Sequence, residues 1–238
     1  MTLGGPVPRA PAPGADPQPG AAALGPGEAV PPESGAEIAV RRLAKGDILA
    51  VAGMLARAFA DDPTTAWLFP NPKHPAQTLQ RWFSLNTELV LGTGEGWVTE
   101  DLASASLWLP VGPVPGRPAR TAGAWTLLRI HLELAAILGT RLPTAAVGTA
   151  RAVRLHPREL GWYLAVLGTE PARQRQGLGS AVMAPVLQRC RRTGVGAVLD
   201  TATSEDVRFY QRFGFLVVGE VQGHKAPPLW VMRRPPGV

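Results

Sequence analysis

Residues Gly161 to Thr169 read GWYLAVLGT, and after a short polar turn Gln174 to Ser180 read QRQGLGS. The first stretch is apolar on both faces, as a strand must be when it is covered from two sides. The second carries Gly177 and Gly179 and runs into Leu178, Val182, Val186 and Cys190, a four-residue spacing that marks a helix. A buried strand followed by a glycine-punctuated turn sets the open start of that helix beside the end of the strand. Such a start has up to four N–H groups without helical partners and about half a positive charge. Without side chains at 177 and 179, a phosphate can approach those N–H groups closely. Arg173 and Arg175 add charge of the right sign. A tight turn alone would use the same glycines. Gly-Lys-[Ser/Thr] is absent, which excludes a Walker loop, and so is the third glycine of a dinucleotide fingerprint. Pro185 inside the helix predicts a kink, because it removes one backbone donor.

Toward the C-terminus, AVLDT at Ala197–Thr201 reads as a further strand. A short helix is expected over Asp206–Phe213, closed by Gly214, and the last strands over Phe215–Val221 and Leu229–Arg233. Tyr210 lies on the short helix. It is one of only two tyrosines, either a packing residue or a phenol that stays neutral at pH 7 and can donate a proton.

Toward the N-terminus, Glu37–Leu43 alternates as a first strand. Asp47 is a candidate N-cap for a helix carrying Ile48, Val51, Leu55 and Phe59, which Asp61-Asp62-Pro63 ends. A second helix is expected from Pro75 to Leu91, with Leu79, Trp82, Phe83 and Val90 on one face. Gly96–Thr99 and Ala103–Leu109 read as short strands, and Thr121–Leu138 and Pro143–Leu155 as helices. The order is that of a mixed α/β (α+β) chain with one central sheet flanked by helices in a single domain.

Residues 1–36 hold much of the excess proline among Gly and Ala, and no apolar periodicity. They are expected to form a disordered tail, because they cannot bury enough surface to offset ordering entropy. The folded domain is expected over 37–236. With 238 residues, 45% of them hydrophobic, the chain supports a sizeable core. No apolar run reaches the ~18 residues of a spanning helix; Thr126–Leu138 is short and carries Arg129, His131 and Glu133. No basic region precedes an apolar core at the start, so a secretory leader is not expected and the cytoplasm is. Cys190 is the only cysteine, which excludes an intrachain disulfide. His74, His131, His156 and His224 share no ligand spacing, so no metal is expected. The net charge of +6 suits an anionic partner. The arginines at 117, 120, 129, 141, 151, 154 and 158 are too diffuse for a nucleic-acid surface.

A strand, Gln-x-x-Gly-x-Gly opening a helix, a further strand and then Phe-Tyr-x-x-x-Gly-Phe (Phe209–Phe215) resemble the GNAT superfamily of acetyl-CoA-dependent N-acetyltransferases. The likeness is strong over 160–236 and weaker over 37–159. Within the superfamily it is closest to the puromycin N-acetyltransferases. The resemblance implies acetyl-CoA as co-substrate. It also implies a primary amine of a small molecule as acceptor, with an aminonucleoside antibiotic such as puromycin as one candidate. No nucleic-acid or membrane partner follows from it, and the state implied is monomer or homodimer. It implies that Leu167, Gly168 and Thr169 meet the pantetheine arm. Gln174, Arg175, Gln176, Gly177, Leu178, Gly179 and Ser180 would hold the pyrophosphate, and Asp206 would face the cofactor where relatives carry an asparagine. Tyr210 would protonate the departing thiolate. Asp200 would accept the amine proton directly or through water, one methylene shorter than the glutamate of the puromycin enzymes.

Trp67, Trp82, Trp108 and Trp125 lie in the half that would build the acceptor pocket, as walls or as core, and Asp61, Asp62 and Glu133 are candidates to attract an amine. Two other readings remain at this stage: acetylation of protein lysines or N-termini, and a non-catalytic acyl-CoA-binding regulatory module.

Overall fold

The computed structural model describes residues 38–70, 75–112, 114, 123–156, 161–222 and 226–237. The expected N-terminal tail lies outside them, as do His74, His224, Arg117, Arg120 and Arg158. Residues 37–238 form one compact unit. Among the described residues seven strands make a single mixed sheet in the order β1-β2-β3-β4-β5-β7-β6. They are β1 (Val40–Arg42), β2 (Glu95–Thr99), β3 (Ser104–Val111), β4 (Gly161–Thr169), β5 (Gly196–Thr201), β6 (Leu216–Val221) and β7 (Leu229–Arg234). Only β4 and β5 run parallel; the other neighbours are antiparallel. The mixed α/β expectation from element order is the observed class.

Helices cover both faces. The helix that continues from the glycine turn, α6 (Leu178–Thr193), packs Met183, Val186, Leu187 and Cys190 against Trp108, Trp162, Leu164 and Leu199. Ser106 on β3 donates to the Val182 carbonyl at 2.7 Å, a polar tie inside that interface. Helix α6 runs through Pro185 as one element. On the opposite face α1 (Ile48–Ala58) and α3 (Pro75–Thr93) pack Val51, Leu55, Leu79, Phe83 and Val90 on Val98, Ala105 and Leu107. Further along this face α5 (Leu142–Leu155) places Ala152 against Val198 and Val231. A helix α4 (Ala124–Leu138) precedes α5, and α7 (Ser204–Gln211) follows β5.

One element escaped the sequence reading. Asp62, expected only to end α1, caps a further helix α2 (Pro63–Leu68): its Oδ1 accepts the Thr65 N–H at 2.9 Å, and Pro63 occupies the first turn. Asp47 does precede α1, but its carboxylate is taken by the Ala44 N–H and the Arg41 guanidinium.

Candidate active site

The site begins where two parallel strands part. β4 pairs with β5 only from Gly161↔Gly196 to Leu164↔Leu199. On its other side β4 stays with β3 as far as Thr169↔Ser104. The register shifts between Leu107 and Trp108, so Ala165 is an extra residue on β4, and this bulge sits where β5 diverges. Glu170 N–H donates to the Ala103 carbonyl. By antiparallel alternation the backbone groups of Gly168 and Val166 then point to β3, and those of Leu167 and Thr169 point into the gap left by β5. The gap thus has strand donors and acceptors on one wall and no strand to take them.

The glycine turn closes the end of this gap. Arg175 and Gly177 both have positive φ, +60° and +82°. Gly177 is the N-cap of α6, and the first helical bond is Ala181 N–H to Gly177 O. The N–H groups of Leu178, Gly179 and Ser180 therefore have no partner within the helix. A Cβ at Gly179 would reach to 3.6 Å from Thr169 Oγ1 and 3.7 Å from Phe209, so a side chain there would fill space between β4 and α7. Leu178 is buried, which leaves its backbone as the part it can offer. These features fit a diphosphate with a linear arm leading along Leu167 and Thr169.

Two residues, Arg173 before the turn and Gly168 on β4, behave differently from expectation. Arg173 is not free charge: it bonds Gln176 Oε1 at 2.9 Å and Asp101 at 3.0 Å, so Gln176's side chain braces the turn from inside. Gly168 lacks a side chain because α1 leaves no room, since a Cβ would sit 2.5 Å from Leu55 Cδ2 and 3.1 Å from Phe59. Its carbonyl accepts the Ser104 hydroxyl at 3.0 Å.

Tyr210 reaches the same cleft from α7, packed edge-on against Phe209 and Phe215 at 5.2 and 5.9 Å between centroids. Burial, and next the nearby Asp206 carboxylate, push its phenol well above the usual tyrosine range, so it is protonated at neutral pH. Asp206 accepts the Thr201 hydroxyl at 3.0 Å, while its N–H donates to Thr203 Oγ1, the cap of α7. Asp206 thus faces the cleft as an acceptor already engaged on one oxygen.

Asp200, at the end of β5, is the centre of a cluster that sequence reasoning missed. His156 Nε2 lies 3.0 and 3.2 Å from its two oxygens, and Tyr163 O–H donates to Oδ2 at 3.2 Å. Tyr163 is pushed far above the ordinary phenol range, first by burial and then by Asp200. The signal that existed was the second of only two tyrosines, on a strand otherwise apolar. The parallel register sets Tyr163 opposite Val198, so Asp200, two residues on, shares its face.

The cleft has a volume of about 2320 Å³ and continues past Asp200 and Tyr210 to a wall of Phe59, Trp67, Trp82, Phe83, Leu134 and Leu138. Of the four tryptophans considered, Trp67 and Trp82 line it, Trp108 is core, and Trp125 on α4 is 83% exposed. Asp61 and Asp62 line the cleft, whereas Glu133 bonds Arg81 and Arg129 outside it. Burial raises Asp62 above the ordinary carboxylate range. Among the described residues no group of three or more His, Cys, Asp or Glu is placed to hold a metal ion, and no helix is long and apolar enough to cross a membrane. Cys190 is buried in the core, its thiol pushed up to about 11 mainly by desolvation.

A splayed parallel pair, a bulged strand with outward-facing edge groups and a glycine-opened helix start thus meet in one cleft. Residues 116–215 match the family model described as Acetyltransferase (GNAT) family. The fold is shared with several solved structures. A histone acetyltransferase HPA2 and related acetyltransferase from Corynebacterium glutamicum superposes with TM-score 0.63 at 22% identity, over 84% of this chain and 97% of that one. The arylalkylamine N-acetyltransferase 2 of Aedes aegypti gives 0.56 at 12% identity, over 82% and 97%. An N-acetyltransferase of Staphylococcus aureus gives 0.53 at 14%, over 82% and 98%. The family match covers 100 of the 238 residues, and the solved structures share the chain's fold.

Proposed function

We propose that the chain is a GNAT-type N-acetyltransferase that takes its acetyl group from acetyl-CoA and transfers it to the primary amine of a small, flat molecule, with an aminonucleoside such as puromycin as the leading candidate. The observation that carries this reading is the aromatic wall of Trp67, Trp82 and Phe83, which opens onto the carboxylates of Asp62 and Asp200 in one continuous cleft. Aromatic faces suit a planar ligand, and carboxylates draw a protonated amine toward the reacting end.

Acetyl-CoA supplies the acyl group as a thioester when bound. Leu167 and Thr169 would hold its arm by their free backbone groups, and the turn from Gln174 to Ser180 its diphosphate. The ammonium first gives one proton to solvent, and Asp200 takes the second as the neutral nitrogen forms its bond to the acyl carbon. As the carbon–sulfur bond breaks, Tyr210 gives its proton to sulfur and regains one, through water, from Asp200. A buried phenol is a poor acid in isolation, but the same desolvation raises the proton affinity of the departing sulfur. A backbone N–H near the β4 bulge donates to the carbonyl oxygen as it gains charge. The acetyltransferase domain is assigned to 37–236 and the site of action to the cytoplasm.

Thiol release from acetyl-CoA against a panel of amines tests this. Turnover of puromycin or another planar primary amine is expected. Activity confined to peptides would move the assignment to protein acetylation, and none with any amine would leave a cofactor-binding module.

A further inference from the structure

We infer that His156 is a positioning residue for the transfer, holding the Asp200 carboxylate at the one orientation from which it can reach the amine. This rests on the reading of Asp200 as proton acceptor given above. Asp200 has a short side chain at a strand end, and a shift of about 1 Å in such a group can lower the rate ~100-fold. Its two anchors come from different elements. Tyr163 belongs to β4, the strand beside it, whereas His156 is the C-cap of α5. The His156 ring stacks at 5.2 Å from Tyr163, tilted by 39°, so three side chains lock one another. Both members of the His156–Asp200 pair are largely shielded, with side-chain exposures of 13% and 11%. His156 is not among the residues that line the cleft, so it works through Asp200 and not on the substrate.

The chemistry also favours histidine here. A carboxylate that alternates between charged and protonated forms needs a neighbour able to bond both. Imidazole Nε2 donates to the carboxylate in one tautomer and accepts from the carboxylic acid in the other. An alanine can do neither, and a glutamine can do both, through its amide N–H or its carbonyl.

The test compares His156→Ala, His156→Gln, Asp200→Asn and the double variant His156→Ala/Asp200→Asn, using acetyl-CoA with the panel amine of fastest thiol release. A loss of about tenfold in kcat is expected for His156→Ala, with KM for acetyl-CoA within twofold. His156→Gln should recover most of it. In the Asp200→Asn background the alanine change should cause no further loss, because its effect passes through the carboxylate. If His156→Ala does not fold, His156→Phe keeps the ring stacking without either nitrogen and is read in the same way. A kcat within twofold of wild type for His156→Ala or His156→Phe, beside a large loss for Asp200→Asn, overturns the role of His156 alone. Equal losses for the Ala and Gln variants, persisting in the Asp200→Asn background, overturn it too. Full activity of Asp200→Asn instead removes the base assignment on which it stands.

Discussion

The two walls of the cleft are built on different principles. The wall assigned to the donor, from β4 through the glycine turn to α7, works with backbone: the N–H groups after Gly177, the edge groups of Leu167 and Thr169, and a bulge at Ala165. The facing wall, from α1, α2, α3 and α4, works with side chains such as Phe59, Trp67, Trp82 and Leu134. Backbone recognition needs few residue types in a fixed local order. Side-chain recognition draws single residues from distant segments. On the proposed reading, the first wall is constrained by the acyl carrier and the second by the acceptor.

Substitutions that break the donor wall should have the larger effects. Tyr210→Phe keeps the ring packing and removes the proton, and kcat should fall at least ~100-fold with the binding of acetyl-CoA, read by calorimetry, nearly unchanged. A residual rate within twofold of wild type would remove Tyr210 as the acid. Gly168→Ala pushes a Cβ into Leu55 and Phe59, and overpacking of this kind costs about 1–3 kcal/mol, visible as a lower denaturant midpoint. Gly177→Ala meets only Ile38 at 3.6 Å, so its penalty is conformational, about 1–2 kcal/mol for a left-handed residue, and should weaken acetyl-CoA binding as well.

Glu95 gives a smaller and pH-dependent contrast, away from both walls. It is buried, and desolvation alone would raise it, but bonds from Arg189 and the Trp97 N–H hold it below its ordinary value of 4.5. A carboxylate lowered on folding adds stability that is complete above its unfolded value and is lost as pH falls through the folded one. Glu95→Gln should therefore flatten the acid limb of the stability curve below about pH 5, measured by denaturant midpoints. The smallest effect is expected at the mouth of the second wall's helix. Trp125→Ser on α4 removes a side chain that is 83% exposed and should change the unfolding free energy by no more than about 0.5 kcal/mol.

Local signals were legible wherever one segment carries the whole message. The glycine turn, the both-faces-apolar β4 and the short helix, expected over Asp206–Phe213 and found at Ser204–Gln211, could be read because helix starts, buried strands and short helices are decided within ten or so residues. Helix α2 was hidden because Asp62-Pro63 signals both an end and a beginning, and six residues show too little periodicity to choose. Trp108 and Trp125 could not be told from Trp67 and Trp82 by composition, since burial depends on what packs above them.

The order of residues alone disclosed the glycine-opened helix start, because the exposure of backbone N–H groups there is a local property of glycine and helix geometry. Only the folded chain could bring His156, Tyr163 and Asp200 into one cluster, since they come from a helix end and two strands as far as 44 residues apart. The same holds for the acceptor wall. Long-range packing decides which side chains face the cleft, and no short stretch of sequence records that choice.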